Sequence, residues 1–278
     1  MGIESAMTLI SRRPQPGRGR IARPAAVAEP GPAFGPLSIA GLEAWYDAQA
    51  TNCFFVDWAE TTPATHGSLV GRWKDQSGKA RHLGSESDQE TYKGTLVAAA
   101  IHGKPAYSTL PNKLLSTQGL NVALGVPSQL EIWVVIKKVN TTFGTHVFGG
   151  FRNGGGASVT MTLQTATTSA GWICSAGGNT KKLATSLNTN PHLFRAQVDF
   201  TQATAANEIR VWLDGVEGAT ATGSTNNTDF GTHKIQLGES SSSAEAAYIG
   251  EFLAFSPILS DADALLLSTY LRTKWGLA

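Results

Sequence analysis

Carboxylate pairs are the first feature to look for, because glycoside hydrolysis uses two carboxylates placed across one scissile bond. Two acids at alternate positions of one strand would face the same cleft. No stretch reads E-x-D-x-E or E-x-D-x-x-E, and Asp57 and Glu60 are three positions apart, so on a strand they point to opposite faces. The histidines occur singly, without H-x-H or H-E-x-x-H, and no segment resembles a nucleophile elbow. We therefore expect no enzymatic activity and no catalytic residues.

Tryptophans are the candidate carbohydrate contacts. Trp133 and Trp212 fall opposite the apolar, core-directed positions of two strand-like segments. If those strands are neighbours in an outer sheet, the two indoles could stack on sugar rings, since aromatic side chains supply large contacts at little entropic cost. The alternative is that loops, an N-terminal arm or a neighbouring subunit cover them. Trp58 and Trp172 lie in Gly/Thr-rich surroundings and are further candidates, as contacts carried on loops.

The elements that must position these residues are short strands. Apolar residues alternate with polar ones in several segments, separated by Gly, Asn and Ser, which is typical of antiparallel sheets with one face in a core. The segment at 249–255 is apolar on both faces, which indicates a central strand. The alternating segments lie at 130–137, 159–164, 194–200, 209–214 and 249–255. Many strands with hardly a helix predict a β-sandwich.

One helix is predicted, at the C-terminus. Ser260 is a good N-cap, and Asp261 and Asp263 favour the positive end of the helix dipole. Leucines and Tyr270 follow at helical spacing, and Gly276 suits a left-handed C-cap. We expect this helix to be structural and to seal one edge of the sandwich.

Residues 1–37 differ in composition from the rest. Five arginines face only two glutamates, and six prolines favour extended polyproline II backbone over helix or sheet. With few large apolar side chains, the segment cannot build its own core. It is either a disordered tail or an arm that becomes ordered on a partner, and we favour a protein partner over nucleic acid, because no aromatic residues are interleaved. The proposed anchoring residues are Arg12, Arg13, Arg18, Arg20 and Arg23.

Charge, hydropathy and cysteine content limit which partners and cellular locations we expect. A formal net charge of +1 gives no overall attraction to nucleic acid or to an anionic membrane. No apolar run approaches the length of a membrane span, and no secretory signal is recognisable at the start. Cys53 and Cys174 cannot form a disulfide framework; we favour two free, buried thiols over one bridge.

At several points the sequence resembles a known family, the concanavalin A-like, laminin-G-type jelly-roll domains found in phage virion proteins and bacterial surface proteins. The resemblance covers about residues 41–278. It rests on five segments: Gly41-Leu-Glu-Ala-Trp-Tyr-Asp-Ala48, Trp73-Lys-Asp-Gln-Ser-Gly78, Gly103-Lys-Pro-Ala106, Arg210-Val-Trp-Leu-Asp-Gly215, and the ending from Tyr248-Ile-Gly-Glu to Tyr270-Leu-Arg-Thr-Lys-Trp-Gly276.

The resemblance implies an all-β, concanavalin A-like (LamG-type) antiparallel jelly roll over residues 38–278, with an extended N-terminal arm at 1–37 and a short C-terminal helix. It also makes Asp75, with Asp47, a candidate calcium site, as in some laminin-G-type domains; no other cofactor is expected. Calcium needs six to eight oxygen ligands, however. The favoured alternative is that Asp75 and Ser77 hydrogen-bond their own turn.

These observations lead to one functional expectation and two alternatives. We expect a virion structural protein, such as a phage head decoration, fibre or tail-associated protein, located in the virion. Residues 1–37 would bind other virion proteins in a homo-oligomer or symmetric assembly, and the sandwich would contact a cell-surface glycan. The alternatives are a stand-alone carbohydrate-binding module and a sandwich-fold glycoside hydrolase or lyase.

Overall fold

The structure is a computed structural model, and the ranges of the chain that it describes include 34–85 and 187–218. The further described ranges are 93–109, 114–116, 127–140, 146–152, 161–165, 171–176, 179–183, 220–222, 234–238 and 247–278. The five arginines of the predicted arm lie outside the described residues.

Eighteen strands and one α-helix make up the described fold, with short 3₁₀ turns at Pro36–Ser38 and Ala205–Asn207. The strands are β1 (Leu42–Asp47), β2 (Phe54–Phe55), β3 (Arg72–Trp73), β4 (Leu83–Ser85), β5 (Thr95–Ile101), β6 (Lys104–Thr109), β7 (Leu114–Ser116), β8 (Gln129–Lys138), β9 (His146–Arg152), β10 (Met161–Thr165), β11 (Trp172–Ala176), β12 (Asn179–Leu183), β13 (Pro191–Asp199), β14 (Ile209–Leu213), β15 (Val216–Glu217), β16 (Thr220–Thr222), β17 (Lys234–Gly238) and β18 (Ala247–Phe255).

The strands form two antiparallel sheets, which confirms an all-β sandwich. The first sheet has the order β15-β14-β13-β8-β18-β6-β5, with β1 paired to the second half of β18. The second has the order β16-β12-β11-β10-β9-β17-β7-β4-β3-β2. The predicted central position of residues 249–255 is confirmed, because β18 pairs with β8, β6 and β1.

Aromatic side chains from both sheets meet in the core. Trp73 of the second sheet packs against Tyr46 and Tyr107 of the first, with ring centroids 5.8 and 5.9 Å apart. At the other end of the sandwich Trp172 packs 5.8 Å from Phe194. Because side chains alternate along a strand, these contacts fix which face of the first sheet points inward and which points away from the core.

The C-terminal helix α1 (Asp261–Trp275) has the predicted caps: Ser260 accepts a hydrogen bond from the Asp263 backbone N–H, and Gly276 is left-handed. The expectation that it seals an edge is wrong. The helix covers the outer face of the central strands β8 and β18: the buried Trp275 ring lies against Gly250, and the Leu259 backbone N–H, just before the helix, bonds Glu131. These strands are apolar on both faces, so their outer face also requires burial.

The two cysteines are free and buried, as favoured from the sequence. Burial is the main cause that raises the pKa of the Cys53 thiol to about 12, and it raises the pKa of Cys174 as well. Both thiols therefore stay protonated at neutral pH and behave as small apolar core residues.

Candidate functional site

The outer face of the first sheet carries a buried carboxylate, Glu131 of β8, whose side chain is 0 % exposed. Its Oε1 accepts hydrogen bonds from Trp133 Nε1 at 2.7 Å and Arg195 Nε at 2.8 Å. Its Oε2 accepts from Gln197 Nε2 at 2.8 Å and from the Leu259 backbone N–H at 3.0 Å. Four donors compensate the cost of burying this carboxylate and join β8, β13 and the start of the helix.

The two outward tryptophans are brought together, with an arginine between them. Their strands β8 and β14 are not neighbours, because β13 lies between them and places Arg195 opposite both residues. The Arg195 guanidinium lies 4.9 Å from the Trp133 ring centroid and 4.2 Å from that of Trp212. On Trp212 a second guanidinium, from Arg210, lies at 4.6 Å. Cation–π stacking therefore occupies ring faces that were predicted to hold sugars.

Arg210 forms the exposed end of this stack. It donates from Nε and Nη2 to the two carboxylate oxygens of Glu217, both at 2.9 Å, and the two side chains are 50 % and 40 % exposed. Hydrogen bonding to Glu217 is the main cause that raises the pKa of Arg210. A solvent-exposed bidentate pair of this kind can open to a ligand at small cost.

A polar cleft of about 300 Å³, the first cleft, lies over the ends of β13 and β14. Amide, carboxylate and guanidinium groups line it, and this volume is at the lower end of the range of small-molecule sites. Its polar lining residues are Gln197, Asp199, Gln202, Asn207, Glu208, Arg210 and Glu217.

Asp199 is held ionised in the first cleft. Burial acts to raise its pKa, but hydrogen bonds from Thr201 and Gln202 outweigh burial and lower the pKa below the usual value. Thr201 donates to Oδ1 through its hydroxyl at 2.6 Å, and Gln202 Nε2 donates to Oδ2 at 2.7 Å. The cleft therefore presents a fixed carboxylate acceptor beside amide groups.

A second cleft, of about 210 Å³, lies between the outer face of the sheet and the helix. Trp133, Arg195 and Trp212 line it from the sheet, and Asp261 and Ser268 line it from the helix. This cleft is less polar than the first, and it combines indole surface with charged and hydroxyl groups.

The proposed calcium ligands are engaged by protein groups. Asp75 accepts from the Trp45, Ser77 and Arg81 backbone N–H groups and from the Ser77 hydroxyl, all at 2.7–3.0 Å. This is the turn-stabilising arrangement favoured from the sequence. In the described part of the chain, no group of three His, Cys, Asp or Glu residues is placed to hold a metal ion.

Asp47, the other calcium candidate, belongs to a buried ion-pair network. Its Oδ2 lies 2.7 Å from Lys274 Nζ, which is also 2.8 Å from Glu251 Oε2. Burial, followed by the charge of Asp47, raises the pKa of Glu251. The indole N–H groups of Trp45 and Trp275 donate to Glu251 at 2.7 and 2.6 Å, so this network fastens the end of the helix to the sheet.

The other two candidate tryptophans, Trp58 and Trp172, do not line either cleft. Trp172, expected on a loop, lies in β11; its side chain is fully buried and packs edge-on to His192 at 5.5 Å, in addition to its contact with the opposite sheet. Trp58 is half-buried beside the second sheet, where its ring lies against Gly84 and 5.7 Å from the Arg72 guanidinium.

Sequence reasoning missed the residues that line the first cleft. Gln197 and Asp199 share the outward face of β13 with Arg195, and the period-two pattern could have placed them together. Gln202 and Asn207 belong to the connection between β13 and β14, which carries no recognisable pattern. Among the described residues, no helix is long and apolar enough to cross a membrane.

No protein-family model and no curated protein sequence matches the chain. Solved structures do. A GH54 α-L-arabinofuranosidase matches with a TM-score of 0.51 at 13% identity, and an arabinofuranosidase in complex with arabinofuranosyl-α-1,2-xylobiose with 0.52 at 16%; each match covers 72% of this chain and 50% of the other. The chain thus spans about half the length of these enzymes.

A third match is of domain size. Domain 4 of AbnA, a GH43 extracellular arabinanase from Geobacillus stearothermophilus, solved in complex with arabinotriose, has a TM-score of 0.50 at 18% identity. The match covers 82% of this chain and 98% of that domain. At these identities the likeness shows a shared β-sandwich fold.

The expectation that the chain is not an enzyme is overturned by these matches, because its fold is one that arabinofuranosidases contain. Two acids at alternate positions of one strand are a narrower arrangement than the reaction requires. In the structure, acidic residues converge on the first cleft from separate elements: Asp199 ends β13, Glu208 precedes β14 and Glu217 lies in β15. Spacing along a single strand does not detect such a set.

Proposed function

We propose that the chain is a carbohydrate-binding β-sandwich that holds an uncharged saccharide in the first cleft. The observation that carries this proposal is the cleft's lining of planar polar groups, from Gln202, Asn207 and Arg210, around the fixed carboxylate of Asp199. Such groups donate to and accept from the hydroxyls of a sugar. Within the described residues the side chain of Asn207 forms no hydrogen bond, so its amide is open to a ligand.

Arabinose-containing saccharides are the class we propose. Domain 4 of AbnA, matched over nearly its whole length, was solved with arabinotriose, and the two other matches are arabinofuranosidases. The charge of the first cleft supports an uncharged ligand, because acidic residues outnumber its single arginine, and that arginine is paired with Glu217. A uronic acid would meet like charge there.

Titration calorimetry with arabinotriose tests the proposal. Asn207→Ala and Gln202→Ala should each weaken binding about threefold to tenfold, the loss expected for one neutral hydrogen bond. Asn190→Ala is the matched control, because Asn190 is also exposed but lies outside the clefts, before β13. Absence of arabinotriose binding by the unchanged protein, or equal binding by all three variants, would contradict the proposal.

Glycoside hydrolysis in the first cleft is the second candidate, favoured by the convergence of Asp199 and Glu217 on it. Two carboxylates on either side of a sugar are the minimum such a reaction needs. The test is release of reducing ends from arabinan, compared among the unchanged protein, Asp199→Asn and Glu217→Gln. Hydrolysis that both substitutions abolish would support this candidate; an unchanged rate in both would dismiss the two residues as the catalytic pair.

The finer sequence-based assignments remain proposals. We keep the concanavalin A-like, laminin-G-type jelly roll as the proposed type of sandwich, and residues 1–37 as a separate partner-binding arm. The virion location gains no support from the matching proteins. Deleting residues 1–33 tests the arm and keeps Phe34, which packs on Tyr270, and the buried Pro36. The sandwich should stay folded and saccharide binding unchanged, whereas loss of folding would show that the deleted residues belong to the domain.

A further inference from the structure

We infer that the second cleft binds a further sugar residue of the same saccharide, so that the outer face of the first sheet forms a two-subsite groove for an oligosaccharide. This inference rests on the proposed function of the first cleft. Its basis is the continuity of the two clefts along β13 and the chemistry of the groups that line the second one.

The two clefts follow each other along one strand. Leu193 and Arg195 of β13 line the second cleft, and Gln197 and Asp199 line the first. These four side chains are alternate residues on one face, so with a rise of about 3.3–3.4 Å per residue they extend over roughly 20 Å. Arg195 and Gln197 are next to each other on that face, which makes the two sites adjacent and places a bound oligosaccharide along the strand.

Arg195 is the polar group that makes the second cleft a binding site. Its guanidinium is fixed between Trp133 and Trp212, and its side chain is only 14 % exposed. Among the described residues it donates one hydrogen bond, from Nε to Glu131, so its two terminal amino groups remain as donors. A donor group held rigidly in this way loses little entropy when it binds a hydroxyl oxygen.

The remaining lining supplies the other properties that a sugar requires. Leu265 of the helix, which is 69 % exposed, offers apolar surface to the C–H groups of a sugar ring beside the nearly buried indoles of Trp133 and Trp212. Asp261 and Ser268 of the helix offer hydroxyl-binding groups on the same wall as Leu265. The charge of Arg195 is balanced by Glu131, which lies 2.8 Å away, so the cleft does not select for an acidic ligand.

Dependence of affinity on chain length tests the inference. In titrations with L-arabinose, arabinobiose and arabinotriose, the unchanged protein should gain about tenfold in affinity from the monosaccharide to the trisaccharide. Ser268→Trp fills the second cleft from the helix and should remove most of that gain, leaving the affinity for L-arabinose unchanged. Leu266→Trp is the matched control, because it places the same side chain on the same helix at an exposed position outside the cleft.

The possible failures are distinguishable. Equal affinity of the unchanged protein for the three ligands, or full retention of the gain in Ser268→Trp, overturns the second subsite and leaves the first cleft standing. No binding of any of the three ligands contradicts the proposed function itself. Urea unfolding establishes that each variant is folded, and Ser268→Leu, with a smaller side chain that favours helix, replaces the tryptophan variant if that one does not fold.

Discussion

Substituting Glu131 by glutamine is the sharpest test of how the outer face is held together. The carboxylate accepts four hydrogen bonds, two at each oxygen, from Trp133, Arg195, Gln197 and the Leu259 backbone N–H. Glutamine has the same shape but only one oxygen. Turned one way, its NH₂ group faces the donors Trp133 and Arg195; turned the other way, it faces the Leu259 backbone N–H and Gln197, whose amide can turn to accept. In both cases the charge that balances Arg195 is lost.

The expected cost follows from these contacts. Hydrogen bonds to a charged group contribute about 1.5–3 kcal/mol each, so the loss of one or two amounts to about 1.5–6 kcal/mol. Removing one partner of a buried ion pair costs about 3–5 kcal/mol, which agrees with that range. For a domain of this size we therefore expect the melting temperature to fall by about 6–20 °C.

Glu217→Gln is the matched control, because it removes the same charge from an exposed glutamate–arginine pair on this sheet face. That pair is exposed, so its loss should cost about 0–1 kcal/mol. Urea unfolding monitored by tryptophan fluorescence measures both variants, and their m-values should equal that of the unchanged protein. If the two variants unfold at the same urea concentration, the buried carboxylate of Glu131 stabilises the fold no more than an exposed ion pair does.

Three further predictions concern the helix contact, pH and ligand charge. A Cβ at Gly250 would lie 2.6 Å from the Trp275 ring, so Gly250→Ala should destabilise the fold by about 1–3 kcal/mol in urea unfolding. Gly35→Ala is the control: it has open space around it and should change stability by less than about 0.5 kcal/mol. Asp199 has a lowered pKa in the folded state, so its ionised form stabilises the fold above the unfolded pKa of about 3.9. This stabilisation is lost as the pH falls through the folded pKa. In urea unfolding, the difference in stability between the unchanged protein and Asp199→Asn should be constant from about pH 5 to 8 and shrink below about pH 4. Because acidic residues outnumber the arginine of the first cleft, calorimetry should show weaker binding of a galacturonate trisaccharide than of arabinotriose. Raising the salt from about 0.05 to 0.5 M should reduce the difference in affinity. Tighter binding of the acidic sugar would contradict the expected repulsion between the cleft and an acidic ligand.

Much of the fold could be predicted from the sequence, because its signals are local. Alternation located β8, β13, β14 and β18, and the caps at Ser260 and Gly276 located the helix. Alternation does not indicate which other element of the structure packs against each face of a strand. A strand that is apolar on both sides must be covered twice, but the pattern does not say whether a sheet, a helix or a loop covers it.

The candidate site was predicted only in part, for a related reason. The outward direction of Trp133 and Trp212 followed from the period of two, but their use depended on strand order, which brings β13 and Arg195 between them. A polar residue on an outward face is expected to contact solvent; Arg195 instead has a planar side chain that fits between two indoles. Long-range strand pairing decided this, and no local pattern encodes it.

The buried network around Glu131 connects the stability of the fold to the proposed binding. Trp133 and Arg195, which donate to Glu131, also line the second cleft, and Gln197, its third side-chain partner, lines the first. The helix that forms the opposite wall of the second cleft is joined to the same carboxylate through the Leu259 backbone N–H. Because one buried charge fixes both walls, the clefts are preorganised, and a saccharide would bind without the entropic cost of ordering them.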